Sequence, residues 1–237
     1  MQARKRRNPG IRSKTHAMVQ YRRSRVPGGT YFFTVTLADR HEDLLITHVD
    51  LLRDTFRQVA ATQPFRIDAI VVLPDHLHAL WTLPPNDSDY AGRWRAIKST
   101  FVRLLSKRTS AQRRTVKGEA LIWQRRFWEH TIRDDHDFET HVDYIHFNPV
   151  KHGLCKAARD WPHSSFHRYV GVGLRSRDWA ESRSLAPEAA DYGERRPIQA
   201  KSVAMRKAQS INLGHSPDSA ALHPGYGSLK KLIEGGQ

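Results

Sequence analysis

Short runs of β-branched and aromatic residues alternate along the chain with longer segments whose apolar residues recur at helical spacing. The run TYFFTVTLA (residues 30–38) follows a Pro-Gly-Gly turn signal and predicts a strand. The segment LLRDTFRQVAATQ (residues 51–63) predicts a helix. The runs FRIDAIVVL and HLHALWTLP then flank only Pro74-Asp75, which predicts a tight antiparallel hairpin.

The second half of the chain continues this alternation. Residues 89–108 predict a helix whose apolar stripe consists of Trp94, Ile97, Phe101, Leu104 and Leu105. The run ALIWQRRFWEHTIR (residues 120–133) predicts another strand, and Asp134 or Asp135 then caps a helix that Pro149 terminates. The predicted order β-α-β-β-α-β-α is typical of an α+β fold, a ferredoxin-like antiparallel sheet (split βαβ) with one added helix.

Composition divides the chain into three parts. Residues 1–25 contain nine Lys/Arg and neither Asp nor Glu, which predicts a basic N-terminal arm. Residues 26–170 hold the predicted strands and helices and form the expected globular domain. In residues 171–237 the apolar runs shorten, so we expect a partly disordered tail without a second core.

The balance of charges indicates the class of partner. A formal net charge of +15 and a sequence pI of about 10.3 favour a polyanion, most simply DNA or RNA. Acidic membranes rank lower because no basic amphipathic helix with a continuous apolar face stands out. Cys155 is the single cysteine, which excludes an intrachain disulfide and fits a reducing cytoplasm. Neither a signal peptide nor a run of ~20 apolar residues is apparent, so we expect a soluble cytoplasmic protein.

Two histidines bracket one leucine in VVLPDHLHALW. On a strand, residues i and i+2 point to the same face, so His76 and His78 present adjacent imidazoles while Leu77 points to the other face. Imidazole pairs suit divalent metal ions, but two ligands require a third from elsewhere. In a chain with 14 histidines such a pair is weak evidence by itself, because most pairs of this kind are surface or hydrogen-bonded histidines.

Tyr144 and Asn148 lie four residues apart in DYIHFNPVK and are therefore neighbours on a helix. At about 100° per residue they share a stripe with Asp137 and His141 at the edge of the apolar face. Asn148 offers a carbonyl oxygen to a metal ion, and Tyr144 offers a phenol that nearby cations turn into a nucleophile. Alternatively, Tyr144 packs on the core and Asn148 only precedes the helix-ending proline.

Basic residues cluster in further places along the chain. Between Arg93 and Lys117 there are nine Lys/Arg and no carboxylate, which predicts a helix with an outward positive face for phosphates. In WQRRFW (residues 123–128) cations alternate with aromatic rings, which either stack on unpaired bases or pack into the core. The candidate DNA-binding residues are Arg22, Arg23, Arg25, Arg93, Lys98, Arg103, Lys107, Arg125, Arg126 and Lys151.

Taken together, these segments resemble the REP-associated tyrosine transposases, a branch of the single-tyrosine HUH nucleases. "HUH" denotes two histidines that flank a hydrophobic residue, a pattern that His76-Leu77-His78 satisfies. The matching stretches keep the family's order across residues 21–170 and read YRRSRVPGGTYFFTVTL, VVLPDHLHALW, FWEHTIRDDHDF, HVDYIHFNPVKHGL and DWPHSSFHRYV. The resemblance implies a ferredoxin-like domain with His76, His78 and Asn148 as metal ligands and Tyr144 as the nucleophile.

The resemblance also implies an activity. The expected ion is Mg²⁺ or Mn²⁺, and the expected substrate is single-stranded DNA at a hairpin such as a repetitive extragenic palindrome of a bacterial chromosome. Cleavage is expected to give a 5′-phosphotyrosine and a free 3′-OH, with a monomer or homodimer as the active species. Two alternatives stay open: a hairpin-binding protein without catalysis, and a metal-dependent hydrolase that uses water as its nucleophile.

Overall fold

The computed structural model describes residues 23–109, 122–179 and 192–194. The strands are β1 (Thr30–Thr36), β2 (Arg66–Val72), β3 (His76–Thr82) and β4 (Trp128–Thr131). The helices are α1 (Leu44–Thr47), α2 (Val49–Thr62), α3 (Tyr90–Arg108), α4 (Asp135–Lys151) and α5 (Phe166–Gly171), and a 3-10 helix spans Ala158–Asp160.

The four strands form one antiparallel sheet in the order β2-β3-β1-β4. Strands β1 and β2 are joined through α2 and flank β3, while β3 and β4 are joined through α3 and flank β1. This is the split βαβ arrangement, so the predicted ferredoxin-like fold with an added helix is confirmed. The hairpin predicted at Pro74-Asp75 joins β2 to β3.

The sheet separates two hydrophobic clusters because successive strand residues point to opposite faces. Leu77, Ala79 and Trp81 of β3 pack on the face that α2 and α3 cover. His76 and His78 point to the other face, which α4 covers, and both are fully buried there. The candidate metal ligands therefore lie between the sheet and the added helix.

Helix α4 begins where its sequence predicts but ends later. Asp134 is its N-cap, and the Asp134 carboxylate accepts a hydrogen bond from a backbone N–H three residues on, which contributes about 1 kcal/mol. Pro149 lies inside the helix, so the predicted stop at this proline is wrong. A proline removes only its own N–H, and the last turn still closes through the N–H of His152 and the carbonyl of Asn148. Gly153, with φ of +66°, then turns the chain away.

Strand β4 is shorter than the predicted run 120–133. Trp128 pairs with Thr34 of β1, and Trp123 forms an isolated bridge with Leu37. The two pairs are five residues apart in the segment before β4 but only three residues apart in and after β1. This mismatch interrupts the hydrogen-bond ladder between them.

Arg93 does not lie on the outward positive face that the sequence predicted for α3. Arg93 is 3% exposed, and its guanidinium donates hydrogen bonds to the carboxylate of Asp87 and the carbonyl of Pro64. Arg93 follows Tyr90 by three residues and precedes Ile97 by four, which turns it toward the apolar side of the helix. The ion pair with Asp87 compensates the buried charge.

Parts of the predicted arm and tail lie outside the described residues. Residues 1–22, with Arg22 among them, belong to this group, as does most of the predicted tail. Trp179 in the first part of the tail packs on α5, and residues 192–194 lie against α4. None of the described helices is long and apolar enough to cross a membrane.

Asp137 ties the start of α4 to strand β4. Its carboxylate accepts hydrogen bonds from His130 and from both the backbone N–H and the guanidinium of Arg133. Burial alone raises the pKa of Asp137, but these hydrogen bonds outweigh burial and hold that pKa at about 2.

We expect Asp137→Asn to destabilise the fold at neutral pH by about 2 kcal/mol, the equivalent of this pKa difference. Because the folded-state pKa is depressed, the wild-type protein holds this stability above about pH 4 and loses it as the pH falls toward about 2. Urea unfolding at several pH values measures both effects. Asp135→Asn, at an exposed position in the same helical turn, is the matched control. An equal loss of stability on acidification in the wild type and Asp137→Asn would contradict the assignment.

Candidate metal and nucleophile site

The two histidines of β3 are positioned by the strand register. The ring centroids of His76 and His78 lie 4.9 Å apart, with planes at 85°. Strand β1 places Thr36 opposite His76 and Thr34 opposite His78. A register slip of one residue would turn both imidazoles to the other face, so the sheet itself fixes their position.

The imidazole of His76 is oriented by the residue before it. Oδ1 of Asp75 lies 2.7 Å from Nδ1 of His76, and Arg40 donates to the other carboxylate oxygen at 2.6 Å. Burial alone raises the pKa of Asp75, but the hydrogen bond to His76 and the neighbouring charges outweigh burial and lower it. The ionised carboxylate accepts the Nδ1–H, which leaves the lone pair of His76 at Nε2. That Nε2 is buried and has no hydrogen-bond partner among the residues that the structure describes.

Thr34 orients His78 in the same way. The Thr34 hydroxyl donates to the carbonyl of Tyr192 at 2.6 Å, so its oxygen accepts from Nδ1–H of His78 at 2.9 Å. Burial lowers the pKa of His78 to about 4, and its imidazole is neutral at pH 7. The Nε2 lone pair of His78 then faces Oε1 of Glu194 at 2.8 Å. Two acceptors at this distance require a proton or a cation between them.

Helix α4 brings the other candidate residues over these imidazoles. The ring centroid of Tyr144 lies 5.2 Å from that of His78, and both Tyr144 and Asn148 are buried. Nζ of Lys151 lies 3.1 Å from the Tyr144 hydroxyl oxygen and donates to it. The residues that the sequence singled out on β3 and on α4 therefore meet at one place.

A carboxylate lies at the centre of this group. Oε1 of Glu194 accepts hydrogen bonds from the Tyr144 hydroxyl and from Nδ2 of Asn148 at 2.7 Å. Its Oε2 accepts from Lys151 at 2.9 Å and lies 3.2 Å from Nε2 of His152. Burial alone raises the pKa of Glu194, but hydrogen bonds with His152 and other neighbours outweigh burial and hold it well below its usual range. The site thus binds an anion.

The same carboxylate keeps Tyr144 protonated. Burial raises the pKa of the phenol, and the negative charge of Glu194 raises it further. A protonated phenol is a weak nucleophile. Removal of Glu194, or a cation that neutralises its charge, would lower this pKa, whereas burial would still raise it.

The donor set fits a divalent metal ion. Within the described part of the chain, Nε2 of His76 and Oδ1 of Asn148 are both buried without a partner, an arrangement that costs about 1–3 kcal/mol for each atom unless a ligand satisfies it. His76, His78 and Glu194 offer ligand atoms that all lie within 4.8 Å of one another. Two ligands at ~2.1 Å on adjacent corners of an octahedron lie about 3 Å apart, and Nε2 of His78 lies 2.8 Å from Oε1 of Glu194.

A second histidine–aspartate group lies beside Tyr144. His130, Asp137 and His141 also bring ligand atoms within 4.8 Å of one another. The Asp137 carboxylate is already hydrogen-bonded as described above, and Nδ1 of His141 lies 2.7 Å from the Asp137 carbonyl. The two imidazoles stack with centroids 4.8 Å apart. These mutual bonds join β4 to α4 one helical turn before Tyr144.

Several predicted DNA-contact residues line one groove. Arg23, Lys98, Arg103 and Arg125 border a cavity of about 560 Å³ between α3 and the segment that precedes β4. The guanidinium of Arg23 lies 4.3 Å from the ring centroid of Phe127, and the Lys98 ammonium lies 5.4 Å from it. Burial and the charge of Arg23 lower the pKa of Lys98 to about 8. Among the described residues, no carboxylate lines this groove.

The remaining candidates lie elsewhere. Arg25, Lys107 and Arg126 are exposed at the surface, and Lys151 belongs to the tyrosine group. A role of these residues in DNA binding stays a prediction.

Some site residues were missed by the motif analysis. His152 follows Asn148 by four residues, so the helical stripe that yielded Tyr144 also contained a signal for His152. Asp75 directly precedes His76, and a carboxylate next to a metal-ligand histidine is a common arrangement. Glu194 had no signal, because it lies in a region without periodic pattern.

Comparisons with known proteins agree with this geometry. The family model described as "Transposase IS200 like" matches residues 28–148. The REP-associated tyrosine transposase of Escherichia coli (strain K12) is 48% identical over 163 residues, which cover 69% of this chain and 92% of that protein. A solved structure of a REP-associated tyrosine transposase bound to a REP hairpin is 45% identical, with a TM-score of 0.62 and coverage of 71% of this chain and 96% of the other.

We expect His76→Ala to weaken Mn²⁺ binding by ~10- to 100-fold, because it removes a buried lone pair that nothing else in the described site replaces. Isothermal titration of the purified protein with MnCl₂ measures the affinity without reference to activity. His136→Ala, at an exposed position on α4, is the matched control and should leave the affinity unchanged. Equal affinities of the two variants would contradict the assignment.

Proposed function

The chain belongs to the IS200-like transposase family, and from this premise we propose that it is a single-stranded DNA endonuclease and strand transferase with Tyr144 as its nucleophile. The proposed substrate is a REP-like hairpin, because a similar protein of known structure is bound to a REP hairpin. One observation carries the proposal: a phenol, an ammonium group and the buried imidazoles of His78 and His152 converge on the carboxylate of Glu194.

In this proposal the carboxylate of Glu194 marks the position of the scissile phosphate. Carboxylates and phosphodiesters are both monoanions that accept several hydrogen bonds. A phosphate at this position has one oxygen beside His78 and Asn148 and another beside Lys151. Its phosphorus then lies within the ~3–3.5 Å from the Tyr144 oxygen that attack requires.

The proposed reaction is a transesterification. The Tyr144 oxygen forms a bond to phosphorus while the bond from phosphorus to the 3′-oxygen of the neighbouring nucleotide breaks. The phenol loses its proton and the departing 3′-oxygen gains one, which gives a 5′-phosphotyrosine and a free 3′-OH. Lys151 stabilises the phenolate through its hydrogen bond to the Tyr144 oxygen. Attack by a 3′-OH on the phosphotyrosine reverses each step and joins strands without a nucleotide cofactor.

His76, His78 and Asn148 are the proposed ligands of a Mg²⁺ or Mn²⁺ ion. A bound divalent ion polarises the phosphate and stabilises the phenolate. Asp75 and Thr34 keep the Nδ1 atoms of the histidines protonated, so both Nε2 lone pairs face the ion position. Asn148 contributes through its Oδ1, which has no other partner in the described residues.

The two alternatives predict different chemistry. A hydrolase that uses water forms no covalent adduct and does not require Tyr144. A hairpin-binding protein without catalysis does not require a nucleophile at all. The hydrogen bond from the Tyr144 hydroxyl to the bound anion favours the phenol over both alternatives.

The basic groove is the proposed binding site for backbone phosphates of the hairpin. Its charged side chains, Arg23, Arg95, Lys98, Arg103 and Arg125, carry only hydrogen-bond donors. Such a lining suits phosphate oxygens. Because the groove lies outside the tyrosine group, it contributes affinity without contacting the reacting atoms.

We expect wild-type protein to form a covalent adduct with labelled hairpin DNA that carries single-stranded flanks, and we expect Tyr144→Phe to abolish this adduct. The change removes the attacking oxygen but keeps the ring that contacts His78. Denaturing electrophoresis in the presence of Mn²⁺ detects the adduct. Tyr169→Phe, a buried tyrosine of α5, is the matched control. Cleavage that survives Tyr144→Phe would support the hydrolase alternative instead.

We expect Arg103→Ala to weaken hairpin binding several-fold and to reduce the slope of log affinity against log salt by about 1, as the loss of one phosphate contact does. Fluorescence anisotropy across a salt series measures both quantities. Arg57→Ala, an exposed arginine of α2, is the matched control. Identical slopes for the two variants would contradict the proposal that the groove binds phosphates of the hairpin.

A further inference from the structure

An aromatic pocket lies beside the nucleophile, and the ring of Tyr192 fills it. The pocket consists of Phe32, Trp128, His141 and Tyr144. The Tyr192 ring centroid lies 4.4 Å from that of Tyr144 and 4.9 Å from that of His141. It lies 5.6 Å from Phe32 and 5.8 Å from Trp128. These four rings surround a flat aromatic guest from several sides.

Tyr192 and Glu194 together resemble a nucleotide in shape and charge, with an aromatic ring in place of the base and a carboxylate in place of the phosphate. The Tyr192 ring contacts the ring of Tyr144, while the carboxylate of Glu194 accepts a hydrogen bond from the hydroxyl of the same tyrosine. A flat ring and an anion are thus held next to each other at the nucleophile, as a base and its phosphate are in DNA. The residue between them is Gly193, with φ of +83°. A Cβ there would lie 2.6 Å from Cβ of Trp128, so only glycine lets the segment pass.

The wall of the pocket offers hydrogen-bond acceptors. Nδ1–H of His141 donates to the carbonyl of Asp137 at 2.7 Å, so the lone pair of the neutral ring is at Nε2. This Nε2 is buried and has no partner in the described residues, and His141 itself is 2% exposed. Burial, and then the charge of Asp137, raise the pKa of the Tyr192 hydroxyl, which is consistent with that hydroxyl lying toward this wall.

We infer that the aromatic pocket binds the nucleobase next to the scissile phosphate, and this inference rests on the proposed function. Stacking on aromatic side chains contributes ~1–3 kcal/mol for each base and tolerates any base. The acceptor at Nε2 of His141 adds a preference for a base edge that donates an N–H, such as the exocyclic amino group of adenine or cytosine.

Binding of DNA therefore exchanges one segment for another. The base replaces the ring of Tyr192, and the phosphate replaces the carboxylate of Glu194. The carbonyl of Tyr192 also leaves Thr34, whose hydroxyl stays within reach of His78. A substrate without a base at this position gains only the phosphate contacts.

The test uses the full-length Tyr144→Phe protein, which keeps the pocket ring but does not cut, in the presence of Mg²⁺. Hairpin oligonucleotides carry the fluorescent base 2-aminopurine at each position of their single-stranded flanks in turn. Stacking in the pocket should quench the fluorescence several-fold at one position, next to the bond that the wild-type protein cuts. Trp128→Leu should remove this quenching, whereas Trp179→Leu, a tryptophan packed on α5, is the matched control.

A second measurement compares the affinities of intact and abasic DNA, first with the same Tyr144→Phe protein and then with a variant of the tail segment. Removal of the base at the quenched position should weaken binding about tenfold. Tyr192→Ala should tighten binding of the intact oligonucleotide several-fold and should have little effect on the abasic one. A base that is quenched equally in Trp128→Leu, or quenching only at positions away from the cut, would overturn the inference.

These experiments distinguish a failure of the pocket inference from a failure of the proposed function. If the wild-type protein forms no covalent adduct while quenching still depends on Trp128, strand transfer fails and base binding stands. If the adduct forms but no base is quenched while anisotropy shows bound DNA, the pocket inference fails and strand transfer stands.

Discussion

Two imidazoles buried on the apolar face of a sheet must each have hydrogen-bond partners, and the site depends on how this requirement is met. His76 obtains a partner from Asp75 in the turn that starts β3, and His78 obtains one from Thr34 on the paired strand β1. Both partners act at Nδ1, so both Nε2 lone pairs are left to converge under α4. An unpartnered buried polar atom costs about 1–3 kcal/mol, and Nε2 of His76 is such an atom among the described residues. The strand register thus determines the ligand geometry before any metal binds.

The site must also accommodate one negative charge among its positively charged and hydrogen-bond-donating groups. The chain has a formal net charge of +15, and its site places Lys151 and several N–H donors around one position. Glu194 is stable there, although buried, because each of its oxygens has partners. A phosphodiester also carries a single negative charge, so its entry exchanges one monoanion for another and keeps the same donors occupied.

Local signals in the sequence predicted the four strands, the three long helices and the residues of β3 and α4 that meet at the candidate site. The alternation in HLHALW predicts which face each β3 residue occupies, and helical spacing predicts that Tyr144 and Asn148 share a stripe. The errors arose where tertiary contacts decide the outcome. Arg93 is drawn inward by its ion pair with Asp87, and Pro149 is tolerated because the turn after it closes without its N–H. Glu194 was unpredictable because its position depends on contacts with five other side chains and on no periodic pattern of its own.

In the proposed binding mode, the tail segment and the substrate compete for the same contacts, and this competition affects which DNA is accepted. A segment tethered to the domain competes at an effective concentration on the order of millimolar, so a free nucleotide that makes only the same contacts gains no advantage over it. The additional free energy must come from outside the site. The basic groove with Arg23, Lys98 and Arg103 provides it, because each phosphate bound there contributes affinity that the segment does not compete for. Only a strand long enough to occupy the groove and the aromatic pocket together therefore displaces Tyr192 and Glu194, and the length of the DNA becomes part of its recognition.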